Sequence, residues 1–140
     1  MFVTAAHIGA SPVELYAAAT EMCAWAKRHN CLAAVLCEHH GAKDGYLPSP
    51  MILASAIAAR TERLALSLIL ILPFYDPVRL AEDMAVLDII SKGRASYILA
   101  LGCRPEEFGH FGVDIRKRGR QNLIRRAVDL DLAGPNAFGQ

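Results

Sequence analysis

The chain has 140 residues, of which 54% are hydrophobic, and its formal net charge is +1. This length and composition suffice for one domain with a real core and argue against intrinsic disorder. The near-zero charge provides no global field that would attract nucleic acid, an acidic substrate or an anionic lipid surface. We therefore expect neither a nucleic-acid partner nor a membrane partner.

The pattern of cysteines and the hydropathy of the chain indicate the cellular compartment in which the protein is found. The four cysteines show no CxxC pairing, and three lie in apolar stretches, where a free thiol serves as a small hydrophobic group. The N-terminus has no basic region followed by a long apolar segment, and the most apolar segment, residues 64–74, is too short to span a bilayer. These features predict a cytoplasmic protein.

Two periodicities alternate along the first part of the chain. Residues 2–8 are apolar and predict a first strand. A cap serine, a proline and a glutamate at capping-box spacing then predict a helix over residues 11–28. Residues 31–37 contain no polar side chain, which is typical of a strand covered on both faces. The apolar residues that form one face of the predicted helix are Leu15, Ala18, Ala19, Met22, Trp25 and Ala26.

The same signals recur to the end of the chain. A Ser-Pro pair and an Asp-Pro pair each open a further helix. The remaining predicted elements are a helix over residues 50–60, a strand over 64–72, a helix over 77–91, a strand over 95–101, a loop over 102–114, a charged helix over 115–132 and an irregular tail over 133–140.

Four β-α units in succession predict an α/β fold with a parallel sheet in one domain over residues 1–140. Two closures fit this pattern: the first half of an eight-stranded (β/α)₈ barrel of the TIM type, or an open doubly wound sheet. Neither GxGxxG after the first strand nor GxxxxGK[ST] occurs, so no phosphate-cradling motif supports the open sheet.

A polar cluster closes the second predicted strand. The apolar run ends abruptly on a carboxylate and two imidazoles, Glu38, His39 and His40. The carboxyl ends of strands carry the chemistry in parallel α/β folds, so this cluster is the candidate site. Successive side chains of an extended segment point in opposite directions, so the two histidines are not expected to serve one atom. That divergence and the absence of HExxH or HxH spacing argue against a metal site.

Seven segments in register resemble one family. They are EHH at 38–40, SP at 49–50, AARTERL at 58–64, LP at 72–73, DPVRLAED at 76–83, LDIISKGR at 87–94 and EFGHFGVD at 107–114. Together they closely resemble the bacterial luciferase-like monooxygenases, a family of flavin-dependent barrels, over residues 8–114. No single segment is specific, and the argument depends on their common order and spacing.

The resemblance implies a (β/α)₈ barrel that binds reduced flavin mononucleotide (FMN) at the carboxyl ends of its strands and uses dioxygen on a small organic substrate. A deazaflavin cofactor with hydride transfer is the alternative. Such a barrel needs about 250 residues, so this chain is expected to cover the first four units, as a fragment or a truncated gene product. A catalytically silent half-barrel that needs a partner remains the second hypothesis.

The resemblance also implies roles for the polar cluster. His39 matches the family's active-site histidine, where an imidazole can donate or accept a proton. Glu38 and His40 are expected beside the cofactor, Glu38 as an orienting carboxylate or an ion-pair partner, and His40 in a structural role.

Two further parts of the cofactor site are implied in the same way. The Leu68–Ile69 bond occupies the place where relatives often carry a non-prolyl cis peptide against the flavin ring, with an ordinary buried strand as the alternative. Gly102 keeps a position of close backbone approach, and Arg104 could reach the flavin phosphate only if its loop bends back. Cys103 is not expected to inherit the family's reactive cysteine, because that position is Ala100.

A half-barrel leaves two sheet edges and the inward side of its strands uncovered, which favours association. We therefore expect self-association or a homo-oligomer.

Overall fold

A computed structural model describes residues 10–43 and 45–120 of the chain. The predicted first strand, the larger part of the predicted helix over 115–132 and the tail lie outside these residues. No helix in the described ranges combines the length and the apolarity needed to cross a bilayer.

Helices and strands alternate through the described residues. In chain order they are α1 (Pro12–Arg28), β1 (Ala33–Cys37), α2 (Pro50–Arg60), β2 (Ala65–Ile71), α3 (Pro77–Ser91), β3 (Ala95–Ala100) and α4 (Pro105–His110). The three strands form one parallel sheet in the order β1, β2, β3. The predicted α/β alternation with a parallel sheet is confirmed.

One predicted loop is wrong, and one predicted helix begins differently from the expectation. The predicted loop over 102–114 contains α4, which begins at a proline and carries acidic residues in its first turn, both of which favour a helix start. The predicted helix over 115–132 opens with a 3-10 turn, Ile115–Lys117, in which Asp114 accepts a hydrogen bond from the backbone N–H of Arg116.

Helix starts follow the capping signals closely. Ser11 and Glu14 form a reciprocal capping box at α1, with N···O distances of 3.2 and 2.8 Å. Asp76 accepts hydrogen bonds from two backbone N–H groups of the first turn of α3. Ser49 precedes α2 without a side-chain cap hydrogen bond, so there the proline alone marks the start.

The core lies between the sheet and α1, α2 and α3. Leucines on the helix-facing side of the sheet are fully buried, and they include Leu36, Leu66, Leu68 and Leu70. On the opposite side of the sheet Ile98 is 52% exposed and Val35 is also exposed. The expectation of a strand covered on both faces is therefore wrong for β1, because the described chain supplies helices to one face alone, and β3 is open on the same side.

The apolar face predicted for α1 is also only partly buried. Ala19 and Cys23 pack in the core, whereas Trp25 is 55% exposed and Met22 is similarly exposed. The buried stripe uses small residues, because these allow α1 to approach α2 closely. Of the larger side chains on the predicted face, Leu15 is partly buried against the core, whereas Met22 and Trp25 are exposed.

Candidate active site

The polar cluster lies at the carboxyl end of β1, where the sequence places it. The strand ends at Cys37, and the chain continues through the two histidines into a loop held by a hydrogen bond from the His39 N–H to the Leu47 carbonyl, 3.1 Å. The two imidazoles point to different partners, as alternation along an extended segment requires. The site is therefore two separate carboxylate–histidine pairs.

The first pair joins His39 to Glu107 of α4. The Nδ1 atom of His39 lies 2.8 Å from Oε1 of Glu107, and the same oxygen accepts a hydrogen bond from the backbone N–H of His40 at 3.0 Å. Glu107 is 1% exposed. Its other carboxylate oxygen, Oε2, is buried and has no hydrogen-bond partner within residues 10–43 and 45–120.

This contact decides which nitrogen of His39 is available for chemistry. An ionised carboxylate accepts hydrogen bonds but cannot donate one, so the nitrogen that faces Glu107 carries the hydrogen. The neutral imidazole then has its lone pair on Nε2, and the ring is about one-third exposed. His39 is thus arranged as a proton acceptor whose orientation is set by a buried carboxylate.

The second pair joins His40 to Glu38 in a buried setting. The Nε2 atom of His40 lies 2.8 Å from Oε1 of Glu38, and that oxygen also accepts a hydrogen bond from the Tyr75 hydroxyl at 2.5 Å. The other oxygen of Glu38 accepts a hydrogen bond from the backbone N–H of Ile71 at 2.6 Å. Glu38 therefore joins the exits of β1 and β2.

Aromatic rings surround the histidines. The Tyr46 ring meets His39 edge-on with a centroid separation of 4.6 Å, and the Phe111 ring meets His40 in the same way at 4.6 Å. Phe74 stacks on Phe111 at 4.4 Å. The His40 ring and these two phenylalanines line a cavity of about 240 Å³.

The expected cis peptide joins Leu68 to Ile69, whose side chains lie on opposite sides of the sheet. No peptide bond in the described ranges is cis, so the Leu68–Ile69 bond is an ordinary trans peptide in β2. The Leu68 side chain is fully buried on the helix-facing side, whereas Ile69 is half-buried on the other side, in register with Cys37 and Ile98. The Leu68 side chain is therefore part of the core, and a cofactor contact through the backbone of this bond stays a prediction.

Gly102 and Arg104 both lie close to other residues of the described chain. Gly102 has φ +74°, and a Cβ atom there would lie 2.7 Å from Cγ2 of Ile71 and 3.1 Å from the Phe108 ring. The close approach is thus between protein segments, which only glycine permits. Arg104 precedes α4 and places Nη1 3.9 Å from Oε1 of Glu107, a local contact between residues three positions apart at the start of that helix.

The family can now be assigned. A model of the family described as luciferase-like monooxygenase matches residues 1–123. The chain belongs to the luciferase-like monooxygenase family. The suspected resemblance is confirmed, and the carboxyl-end position of the histidine pairs is where a barrel family keeps its reactive groups.

Curated relatives within the luciferase-like family are much longer than this chain. The alkanal monooxygenase alpha chain of the Kryptophanaron alfredi symbiont is 35% identical over 81 residues, which are 57% of this chain and 23% of that protein. The oxygenase component of flavin-dependent trigonelline monooxygenase from Acinetobacter baylyi is 30% identical over 77% of this chain and 31% of that protein. The chain thus spans less than a third of the length of these relatives.

Solved structures agree on the fold. A monooxygenase from Streptomyces bottropensis superposes with a TM-score of 0.83 and 25% identity, covering 87% of this chain and 38% of that chain. The oxygenating constituent of 3,6-diketocamphane monooxygenase from Pseudomonas putida, solved in complex with FMN, gives a TM-score of 0.75 at 20% identity, covering 83% of this chain and 34% of that chain. These luciferase-like neighbours are TIM-barrel proteins.

Sequence reasoning did not assign Glu107 and Tyr75 to the site. Glu107 appears in that reasoning only within a family segment, and Tyr75 follows the third predicted strand with no polar pattern around it. The position of Glu107 offers one signal: it follows the exit of a parallel strand, and such exits converge on one edge of a sheet. Tyr75 gives no comparable signal, because an isolated tyrosine after a strand is ordinary.

Proposed function

We propose that the chain is the first part of a flavin-dependent monooxygenase that uses reduced FMN and dioxygen to oxidise a small organic substrate. One observation carries the proposal: in a member of this family, a histidine whose imidazole is about one-third exposed is held through Nδ1 by a buried carboxylate at the carboxyl edge of a parallel sheet. His39 is the proposed catalytic residue, and Glu107 positions it.

The surroundings of His39 fit a flat, largely apolar cofactor. Ile98 is half-exposed and Ile69 is half-buried on the side of the sheet that the helices leave open, so both present aliphatic surface there. His39 supplies one polar, proton-accepting group beyond the end of β1. This combination of apolar surface and a few placed polar groups is typical of cofactor sites.

Reduced FMN, when bound, supplies the electrons that activate dioxygen. The chain's own residues would transfer protons and form the walls of the site. His39 would accept or donate a proton at Nε2, and Glu107 would stabilise the imidazolium that forms. Glu38, His40 and Arg104 would surround the cofactor rather than react. Ile69 and the backbone near Gly102 would form the apolar wall.

The proposal includes the organisation of the chain. We assign the chain to one partial domain, about the first four units of a (β/α)₈ barrel. The flavin phosphate would be bound largely by later barrel strands. The four cysteines are free thiols, which supports a reducing, cytoplasmic setting.

A catalytically silent half-barrel that needs a partner is the second candidate. The exposed apolar side of the sheet favours it, since Ile98 and Val35 would be covered in a complete barrel. A deazaflavin enzyme that transfers hydride without dioxygen would use the same residues.

Flavin binding separates these candidates. Titration of the purified chain with oxidised and with photoreduced FMN is expected to give saturable fluorescence quenching at one site. His39→Asn should weaken binding about 3- to 10-fold, the value of one hydrogen bond. A parallel titration with a deazaflavin tests the alternative cofactor.

His29→Asn is the matched control, because His29 stacks on Trp25 on the surface of α1, away from the sheet edge. It should bind FMN like the parent chain. A folded, monodisperse chain that binds neither flavin would contradict the enzyme function for this chain and favour the silent half-barrel.

Self-association is expected from the same uncovered side of the sheet. Sedimentation velocity over a range of concentrations should show oligomers, and Ile98→Asp should shift the population toward monomer, because the charge enters the apolar surface. Ile89→Asp is the control, since Ile89 is exposed on the outer surface of α3. A stable monomer at every concentration would contradict the expectation.

A further inference from the structure

The Glu38 carboxylate has no part in the proton transfer proposed for His39, yet it is a buried acid that accepts hydrogen bonds from three different residues. It is 3% exposed and accepts hydrogen bonds from the Ile71 backbone N–H, the Tyr75 hydroxyl and His40. These donors come from the end of β2, the segment before α3 and the loop after β1. Such an arrangement fixes three segments around one anion.

The protonation states within this group follow from its donors. Burial, and then the neighbouring Glu38 carboxylate, raise the pKa of Tyr75 far above its usual range, so the hydroxyl remains a donor at neutral pH. The Ile71 N–H can only donate. An ionised Glu38 therefore accepts from all three partners, and the His40 nitrogen facing it, Nε2, carries a hydrogen.

The two neighbouring histidines are consequently held in opposite tautomers. His39 carries its hydrogen on Nδ1, where Glu107 accepts it, and His40 carries its hydrogen on Nε2, where Glu38 accepts it. The backbone connects the pairs, because the His40 N–H donates to the same Glu107 oxygen that holds His39. A shift of the His40 ring would therefore move the peptide on which the His39–Glu107 contact depends.

We propose that Glu38 and Tyr75 are positioning residues, which hold His40 as its Nε2–H tautomer and, through the shared peptide, set the orientation of His39. The role of His39 in chemistry rests on the proposed function. The tautomer assignment does not, because it follows from the contacts of the chain alone.

The test reads the imidazole nitrogens directly. In the full 140-residue chain labelled with ¹⁵N, long-range proton–nitrogen correlation spectra report which ring nitrogen of each histidine carries hydrogen. The five histidines are assigned by single replacement. We expect His39 protonated on Nδ1 and His40 on Nε2, each as a single tautomer.

Two variants perturb the group. In Glu38→Gln the side-chain amide can donate as well as accept, so His40 should become a mixture of tautomers and the His39 nitrogen signals should shift with it. Tyr75→Phe should shift the His40 Nε2 signal while the tautomer is kept, because Glu38 still accepts from His40. Tyr97→Phe is the control, since it also removes a partly buried tyrosine hydroxyl that donates a hydrogen bond, here to the Met84 carbonyl at 3.0 Å.

Several results would overturn the proposal. A His40 protonated on Nδ1, or present as two tautomers in the parent chain, contradicts the assignment. If the His39 signals are unchanged in Glu38→Gln, the positioning role is contradicted. If that variant fails to fold, unchanged His40 signals in Tyr75→Phe contradict the role instead. Equal shifts in Tyr97→Phe would indicate general loosening instead. No flavin is added in this experiment, so its result does not depend on whether the chain binds FMN in the titration.

Discussion

Replacing Arg94 with alanine is expected to lower the free energy of unfolding by about 3 to 5 kcal/mol, because several charge-assisted hydrogen bonds are lost together. The guanidinium binds four carbonyl oxygens, those of Ala58, Thr61, Leu64 and Ser91, at 2.6 to 3.0 Å, and its fifth hydrogen bond goes to the Thr61 hydroxyl. Without it, carbonyls at the ends of α2 and α3 lose their partner.

Urea unfolding followed by circular dichroism measures this loss. Arg94→Lys should fall between the parent and the alanine variant, since an ammonium has three donors and cannot reproduce the planar fork. Arg79→Ala is the matched control: Arg79 forms an exposed i,i+4 pair with Asp83 at 3.1 Å, worth about 0.3 to 0.5 kcal/mol. An Arg94→Ala loss no larger than that of the control would contradict the assignment.

Leu68→Ala should also be strongly destabilising, by about 3 to 5 kcal/mol, because it leaves a cavity in a closely packed core. Leu68 is fully buried between β2 and the helices, beside Leu36 of β1 in the register of the sheet. A loss of this size would show that the Leu68 side chain belongs to the core.

Ile98→Ala on the neighbouring strand gives the comparison. Its side chain is half-exposed on the opposite side of the sheet, so its loss should cost about 1 kcal/mol. Both variants are compared by urea unfolding at a concentration where sedimentation shows monomer. Equal losses would mean that the two sides of the sheet are equally buried in solution, contrary to the structure.

Local chemistry made much of the fold predictable. The capping box of Ser11 and Glu14 and the Asp76 cap act within one helical turn, so a short stretch of sequence contains the whole interaction. The alternation of apolar strands with helices likewise required a parallel sheet, because each crossover returns the chain in the same direction. Family membership followed from seven segments in register.

The site was predictable only in part. His39 and His40 were placed at the edge of the sheet and pointed apart by alternation along one strand, which is a local property. Glu107, by contrast, lies 68 positions from His39 in the chain. No local pattern links them, because their contact exists only after β1 and β3 have been brought to one sheet with their exits at the same edge.

By itself, then, the sequence determined the elements from α1 to β3, the direction of the strands, the family and the edge at which the histidines lie. Only the tertiary structure decided which carboxylate holds which imidazole, that Tyr75 joins Glu38, and that Arg94 binds the ends of two helices. It also decided that one side of the sheet is open. The reason is physical: caps and alternation depend on neighbours in the chain, whereas partners and burial depend on which segments the fold brings together.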